Sequence, residues 1–219
     1  MVFSKIWDEV YAHTNENGKL VQSNAQPGDI RFKDLNHDGV LDENDKTWIG
    51  NPYPDLMVGL NLGFSYKNID FTANFYGTFG NDIFNKTKGL YSGVSGQKRL
   101  GRYIAESMAW RRNQQRYSSS VYNDLNQNYT RISSFFVEDG SYMRCKLLQV
   151  GYTLPKKWLN GTELRLSLSA QNPFTITSYS GMDPERPQIG KDGSVIETGI
   201  DGIAYPNPRT FLFGIDLKF

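Results

Sequence analysis

The chain has 219 residues, 38% of them hydrophobic and 14% aromatic, enough for one sizeable domain. Its formal net charge of +1 leaves no basic footprint for nucleic acid and no acidic tail. The single cysteine, Cys145, has no internal disulfide partner and no zinc-like spacing around it, and no apolar run approaches the roughly 20 residues a membrane helix needs.

In chain order, Met1 to Lys5 lacks the basic region, apolar core and cleavage site of a secretory signal. Ser4–His13 is expected to form a short helix that clusters Ile6, Trp7 and Val10. Gly28-Asp29-Ile30-Arg31-Phe32-Lys33 reads extended. The next twelve residues, Asp34 to Asp45, match a calcium loop. Oxygen ligands would come from Asp34, Asn36, Asp38, the Val40 carbonyl, Asp42 and Asp45, with Gly39 at the sharp turn. Hard cations prefer such oxygens, although Asp45 is shorter than the usual closing glutamate. The same pattern also describes a surface loop held by Asx turns without metal.

Five segments then alternate with period two. Asp55–Lys67 puts Leu56, Val58, Leu60, Leu62, Phe64 and Tyr66 on one face. A tight turn at Lys67-Asn68 leads into Ile69–Gly80, with Ile69, Phe71, Ala73, Phe75, Gly77 and Phe79 on one side and Asp70, Thr72, Asn74, Tyr76 and Thr78 opposite. After a long connection, Ser141–Leu154 breaks parity, since Met143, Cys145 and Leu147 are odd while Leu148, Val150 and Tyr152 are even. One extra residue near Leu147, a β-bulge, would reconcile them. Thr162–Asn172 sets Leu164, Leu166, Leu168 and Ala170 against Arg165, Ser167, Ser169 and Gln171. Arg209–Phe219 ends the chain with Phe211, Phe213, Ile215, Leu217 and Phe219 on one face.

Strands of about ten to fourteen residues exceed the five or six usual in globular proteins and suit a tilted membrane-spanning strand. Such strands alternate lipid-facing apolar and lumen-facing polar residues, so average hydropathy looks soluble. The connections alternate too: Lys67-Asn68 and Pro155–Gly161 are short, Asn81–Gly140 and Pro173–Pro208 long. That asymmetry matches short periplasmic turns and long extracellular loops. The expected fold is therefore all-β, an antiparallel meander of barrel strands over residues 55–219, with residues 1–54 an extracellular loop segment. Within the first long loop Arg99–Arg112 is expected to be helical, and Ser118 to Asn128 polar and turn-rich. By parity Asn74, Tyr76, Arg165 and Gln171 face the lumen, and Phe211 to Phe219 behave as an outer-membrane sorting signal.

Enzyme signatures are lacking. His13 and His37 have no partnered motif, and no P-loop, nucleophile elbow or dinucleotide fingerprint occurs. Asp183-Pro184-Glu185 reads as solvated surface, and Tyr91, Tyr117, Tyr122 and Tyr179 as loop packing more than as sugar platforms.

Several stretches carry a family resemblance. They are Pro27 to Gly39, Ile49-Gly50-Asn51-Pro52-Tyr53-Pro54-Asp55, and Tyr76-Gly77-Thr78-Phe79-Gly80-Asn81-Asp82-Ile83. They continue with Asp139-Gly140-Ser141-Tyr142-Met143-Arg144, Gln149 to Pro155, Gln171-Asn172-Pro173-Phe174, Tyr179 to Glu185, and Tyr205 to Phe211. In this order they resemble the SusC/RagA family of TonB-linked outer-membrane proteins, from about Pro27 to Phe219. The resemblance implies the C-terminal part of a barrel of about 22 strands in the outer membrane of a Gram-negative bacterium, importing glycans or peptides. It implies as partners the N-terminal remainder of the barrel, a SusD-type lipoprotein lid, and TonB acting through an N-terminal box and plug. Plug and box are not recognised here, so the chain is expected not to transport by itself. The alternative is a self-contained, calcium-dependent carbohydrate-binding β-module.

Overall fold

A computed structural model describes residues 3–6, 16–23, 30–88, 131–159, 161–185, 188–189, 196–202 and 205–218. The strands are β1 (Phe3–Ile6), β2 (Ile30–Phe32), β3 (Leu56–Tyr66), β4 (Ile69–Phe79), β5 (Asp82–Asn85), β6 (Val137–Asp139) and β7 (Tyr142–Thr153). They continue as β8 (Glu163–Gln171), β9 (Thr175–Thr177), β10 (Gln188–Ile189), β11 (Ile196–Glu197), β12 (Ile200–Asp201) and β13 (Thr210–Lys218). The five long segments read from alternation are β3, β4, β7, β8 and β13, each within two residues of its expected ends. Phe219 lies outside the described residues, as do the 99–112 helix, the 118–128 stretch, Tyr91, Tyr117 and Tyr122. The chain divides into two compact units: residues 1–50, 84–138 and 200–203, and residues 51–83, 139–199 and 204–219.

The second unit is built on an antiparallel sheet in the order β13-β8-β7-β4-β3, with β9 also paired to β7, and carries the separate β10–β11 pair. The β3–β4 hairpin keeps register over its whole length, from Leu56↔Phe79 to Tyr66↔Ile69. Lys67 turns the corner with a left-handed backbone, φ 55°. The expected bulge falls at Lys146: Asn74 pairs with Leu147 while Phe75 pairs with Cys145. One unpaired residue flips every later side chain of β7, so Leu148, Val150 and Tyr152 join the apolar face.

Register then lines up apolar rows across all five strands. Phe64 meets Phe71, Val150, Leu168 and Phe213 in turn, and Tyr66 meets Ile69, Tyr152, Leu166 and Ile215. The opposite face carries rows such as Ser65, Asp70, Gly151, Ser167 and Gly214. Cross-strand pairs of this kind stabilise a sheet by roughly 0.2–1 kcal/mol each. Much of the apolar face is bare, with Phe64 61% exposed, Leu168 60% and Phe213 66%, while Ala73 and Cys145 are buried and the Phe174 ring lies 6.4 Å from that of Phe75.

The first unit has a small aromatic core. Phe32 and Phe136 are buried, and Phe136 meets Phe84 and Phe135 edge-on at 6.0 and 5.1 Å. The buried Gln22 side chain bridges β2, donating to the Ile30 carbonyl at 2.9 Å and accepting from the Phe32 N–H at 3.2 Å. Here the expected Ser4–His13 helix is corrected. Phe3–Ile6 is a strand paired with β2, from Phe3↔Phe32 to Ile6↔Ile30, and residues 7–15 lie outside the described residues. Pairing with a strand distant in sequence overrides a weak local helix pattern.

Candidate functional site

The polar face of the sheet holds the candidate lumen residues. Asn74 and Gln171 lie in one row with Leu147 between them, and Tyr76 pairs with Arg144. Asn74, Tyr76, Arg165 and Gln171 therefore share a face, as their parity requires. Arg165 is not free on it. Its Nη2 donates to Asp70 Oδ2 at 2.7 Å and its Nε to Oδ1 at 3.2 Å, with Asp216 3.5 Å from Nη1. The fork reaches from β8 across β7 to β4, over Gly151, where a Cβ would stand 2.6 Å from the guanidinium. Gly151→Val is expected to break this bridge and destabilise the sheet by about 1–3 kcal/mol, read as a lower urea midpoint in detergent. Asp70→Asn in the same background would then add little.

A second charge cluster was not legible as such. Asp183 and Glu185, expected as solvated surface, close on Arg144. Arg144 Nη2 donates to Asp183 Oδ1 at 2.5 Å, Nη1 to Glu185 Oε2 at 2.5 Å, and Nε to Thr175 Oγ1 at 2.8 Å. Lys146, the bulged residue, bonds the other Glu185 oxygen. The Asn207 N–H donates to Asp183 Oδ2 at 2.9 Å, and its amide donates to Glu185 Oε2 at 3.2 Å. Arg144 and Asp183 are both 3–5% exposed overall. Burial alone pushes the Asp183 carboxyl up, but the guanidinium and the N–H donors of Asn207 and Glu185 outweigh it and hold the carboxyl below the usual range.

The local chain path explains how these groups meet. β8 pairs with β7 only from Leu147 to Thr153, and β9 takes over at Arg144 to Tyr142. Between them Asn172 adopts φ 50°, its N–H bonded to the Lys146 carbonyl at 3.1 Å. Asparagine tolerates that left-handed backbone better than most residues. The break on one strand thus sits against the bulge on the other. It turns the loop after β9 back over the polar face, where Asp183, Asn207 and Arg209 line a cleft of about 370 Å³ beside Arg144. Tyr179, in the same loop, is buried, as loop packing requires.

The Asp34–Asp45 loop is closed by its own acids. Asp34 accepts the His37 and Gly39 N–H groups at 2.7 and 2.9 Å, and Asp38 accepts that of Val40 at 2.8 Å. The Asn36 amide donates to the second Asp38 oxygen at 2.8 Å. Asp42 caps the short helix Glu43–Asp45, accepting from the Asn44 N–H at 2.7 Å. Asp45, fully buried, accepts from Leu35 and Asp42 at 2.7 and 2.9 Å. Among the described residues no three His, Cys, Asp or Glu side chains converge as a metal-ligand group; these acids accept backbone N–H groups of the loop. Asp45→Ala orphans two backbone donors and is expected to cost about 2–4 kcal/mol locally. Proteolysis within residues 34–45 should then rise, and comparing the wild type in EGTA with the wild type in calcium tests whether the loop also takes the metal.

No protein-family model matches the chain. It is 34% identical over 218 residues to the TonB-dependent receptor P3 of Formosa agariphila, a match covering 93% of this chain and 20% of that one. It is 28% identical over 223 residues to the TonB-dependent receptor SusC of Bacteroides thetaiotaomicron, covering 98% of this chain and 19% of that one. The chain thus spans about a fifth of the length of the curated relatives it matches. Among solved structures, the RagAB peptide importer in its closed-closed state superposes with a TM-score of 0.56 at 22% identity, over 77% of this chain and 18% of that one. Long antiparallel strands with one bare apolar face agree with that likeness of fold. The chain is similar in sequence to SusC-type TonB-dependent receptors over about a fifth of their length, and similar in fold to the RagAB importer.

Proposed function

We propose that the chain supplies part of the wall of a TonB-dependent outer-membrane transporter that imports glycans or peptides. The observation that carries this reading is the apolar face, continuous in register over five strands, with Leu60, Leu62, Phe64, Val150, Leu168, Phe213 and Ile215 exposed along it. β3, β4 and β7 run 11, 11 and 12 residues, and β8 and β13 nine each. A strand of roughly nine to eleven residues crosses the hydrocarbon core when tilted. Lipid is the environment in which such a face needs no protein cover.

In this reading Asn74, Tyr76 and Gln171 border the substrate path, and the loop pinned by Arg144 stands at its outer end. Arg165 serves the wall rather than the substrate. Phe211, Phe213, Ile215 and Leu217 form the apolar edge of the last strand, with Phe219 completing the sorting signal. A SusD-type lipoprotein and TonB are the partners, and no catalytic role is assigned. Among the described residues β3 and β13 each pair on one side only. An open sheet leaves backbone groups unpaired in lipid, so further strands close the barrel and this chain does not transport alone. The rival, a soluble sugar-binding β-module, would have to cover the apolar face.

The test is to express the chain, fractionate it, and measure solubility, size and circular dichroism with and without detergent. Insolubility in buffer and β-structure only in detergent or lipid is expected. A monodisperse monomer in buffer with cooperative melting would overturn the proposal.

A further inference from the structure

One end of the long sheet gathers the Lys67-Asn68 turn, the short helix Lys156–Trp158 and the end of β13. Ile69 stands opposite Tyr152 there, and Glu163 opposite Lys218. The turns are tied together, with the Thr153 N–H donating to the Asn68 carbonyl at 2.8 Å.

Charge at this rim is unevenly matched. Arg165 takes Asp70 and Asp216, and Lys156 takes Glu163 at 3.3 Å. Lys67, Lys157 and Lys218 are exposed, and among the described residues none of them forms an ion pair with an acid. The Lys67 ammonium lies 5.2 Å from the Tyr66 ring centre. Trp158, Tyr66 and Tyr152 are exposed beside these lysines, where the apolar face ends. At the opposite end of the sheet the surplus is acidic: Asp55, Asp82 and Asp139 stand at the strand ends, while Asp183 and Glu185 are neutralised by Arg144 and Lys146.

We propose that the turn rim is a binding surface for the headgroups of anionic phospholipids. Indole and phenol rings are amphipathic and settle at headgroup depth. Lysine stems lie along apolar surface while their ammonium groups reach the phosphates. The aromatic band borders the lipid-facing surface directly, so a bilayer covers both together. This inference rests on the membrane-wall reading.

The experiment folds the full chain into vesicles of phosphatidylcholine alone or mixed with phosphatidylglycerol, and measures the protease-protected, β-rich fraction. A lysine near an anionic surface favours binding roughly fivefold. The Lys67→Gln/Lys157→Gln/Lys218→Gln variant is expected to lose the preference for anionic vesicles by roughly tenfold or more, and the corresponding arginine variant to keep it. The wild-type preference should fade as salt is raised. Equal insertion of the wild type into both vesicles, or an undiminished preference in the glutamine variant, overturns the lipid surface and leaves the membrane wall standing. Insertion into neither overturns both.

Discussion

Arg144→Ala is expected to release the loop after β9 and to cost about 3–5 kcal/mol. The guanidinium sits among two carboxylates, a threonine hydroxyl and almost no solvent. Removing it leaves the buried Asp183 carboxylate without its counter-charge, and that penalty exceeds the loss of a surface pair, worth about 0–1 kcal/mol. Hydrogen exchange in detergent reads the result. Amides of Thr175–Thr177, Glu185 and Asn207 should exchange faster, while those of β3 should not change. Uniform loss of protection would instead make Arg144 a general support of the sheet. Asp183→Asn, which keeps the acceptor of the Glu185 N–H at Oδ1 and loses that of the Asn207 N–H at Oδ2, should have a smaller effect than Arg144→Ala, because no buried carboxylate is left without its counter-charge.

The same cluster has a defined pH response. Asp183 titrates lower in the folded chain than in the unfolded one. A depressed carboxyl contributes stability that is complete above its unfolded value, about 3.9, and lost as pH falls through the folded value. The loop is therefore expected to stay pinned from pH 8 to pH 5 and to open only below about pH 4.

A charge on the apolar face is the second large effect. Leu168→Arg is expected to destabilise the sheet in lipid vesicles by about 2–4 kcal/mol, whereas Ser169→Arg, the next residue, should stay within about 1 kcal/mol. Leu168 lies in the row Phe64, Phe71, Val150 and Phe213; Ser169 lies opposite, beside Gln149 and Leu212. Urea unfolding in vesicles measures both. Equal effects would mean that both faces meet water, and the membrane wall would fall. In detergent-free buffer the order should reverse, with Leu168→Arg the less aggregated of the two, because the charge interrupts an apolar patch.

Much of the wall was legible because strand parity is a local property. A side chain's face follows from counting by two, and a parity slip inside β7 has one cheap solution, a single extra residue, found at Lys146. The Lys67-Asn68 turn was legible for the same reason, since two residues suffice to reverse an antiparallel pair. The Ser4–His13 pattern failed where it was checked, at Ser4–Ile6, because those residues pair with β2 some twenty-five positions later.

By itself the sequence determined the length, order and two-faced character of β3, β4, β7, β8 and β13, since these depend on nearest neighbours along the chain. Only the tertiary structure decided which charges are used. Arg165 reaches Asp70 because Gly151 lies between them on the intervening strand, and Arg144 reaches Asp183 and Glu185 because Asn172 turns the chain against the Lys146 bulge. These partners lie 95, 39 and 41 residues apart. No local period encodes such pairings: they follow from the order of strands in the sheet, and burial then makes leaving either partner unpaired costly.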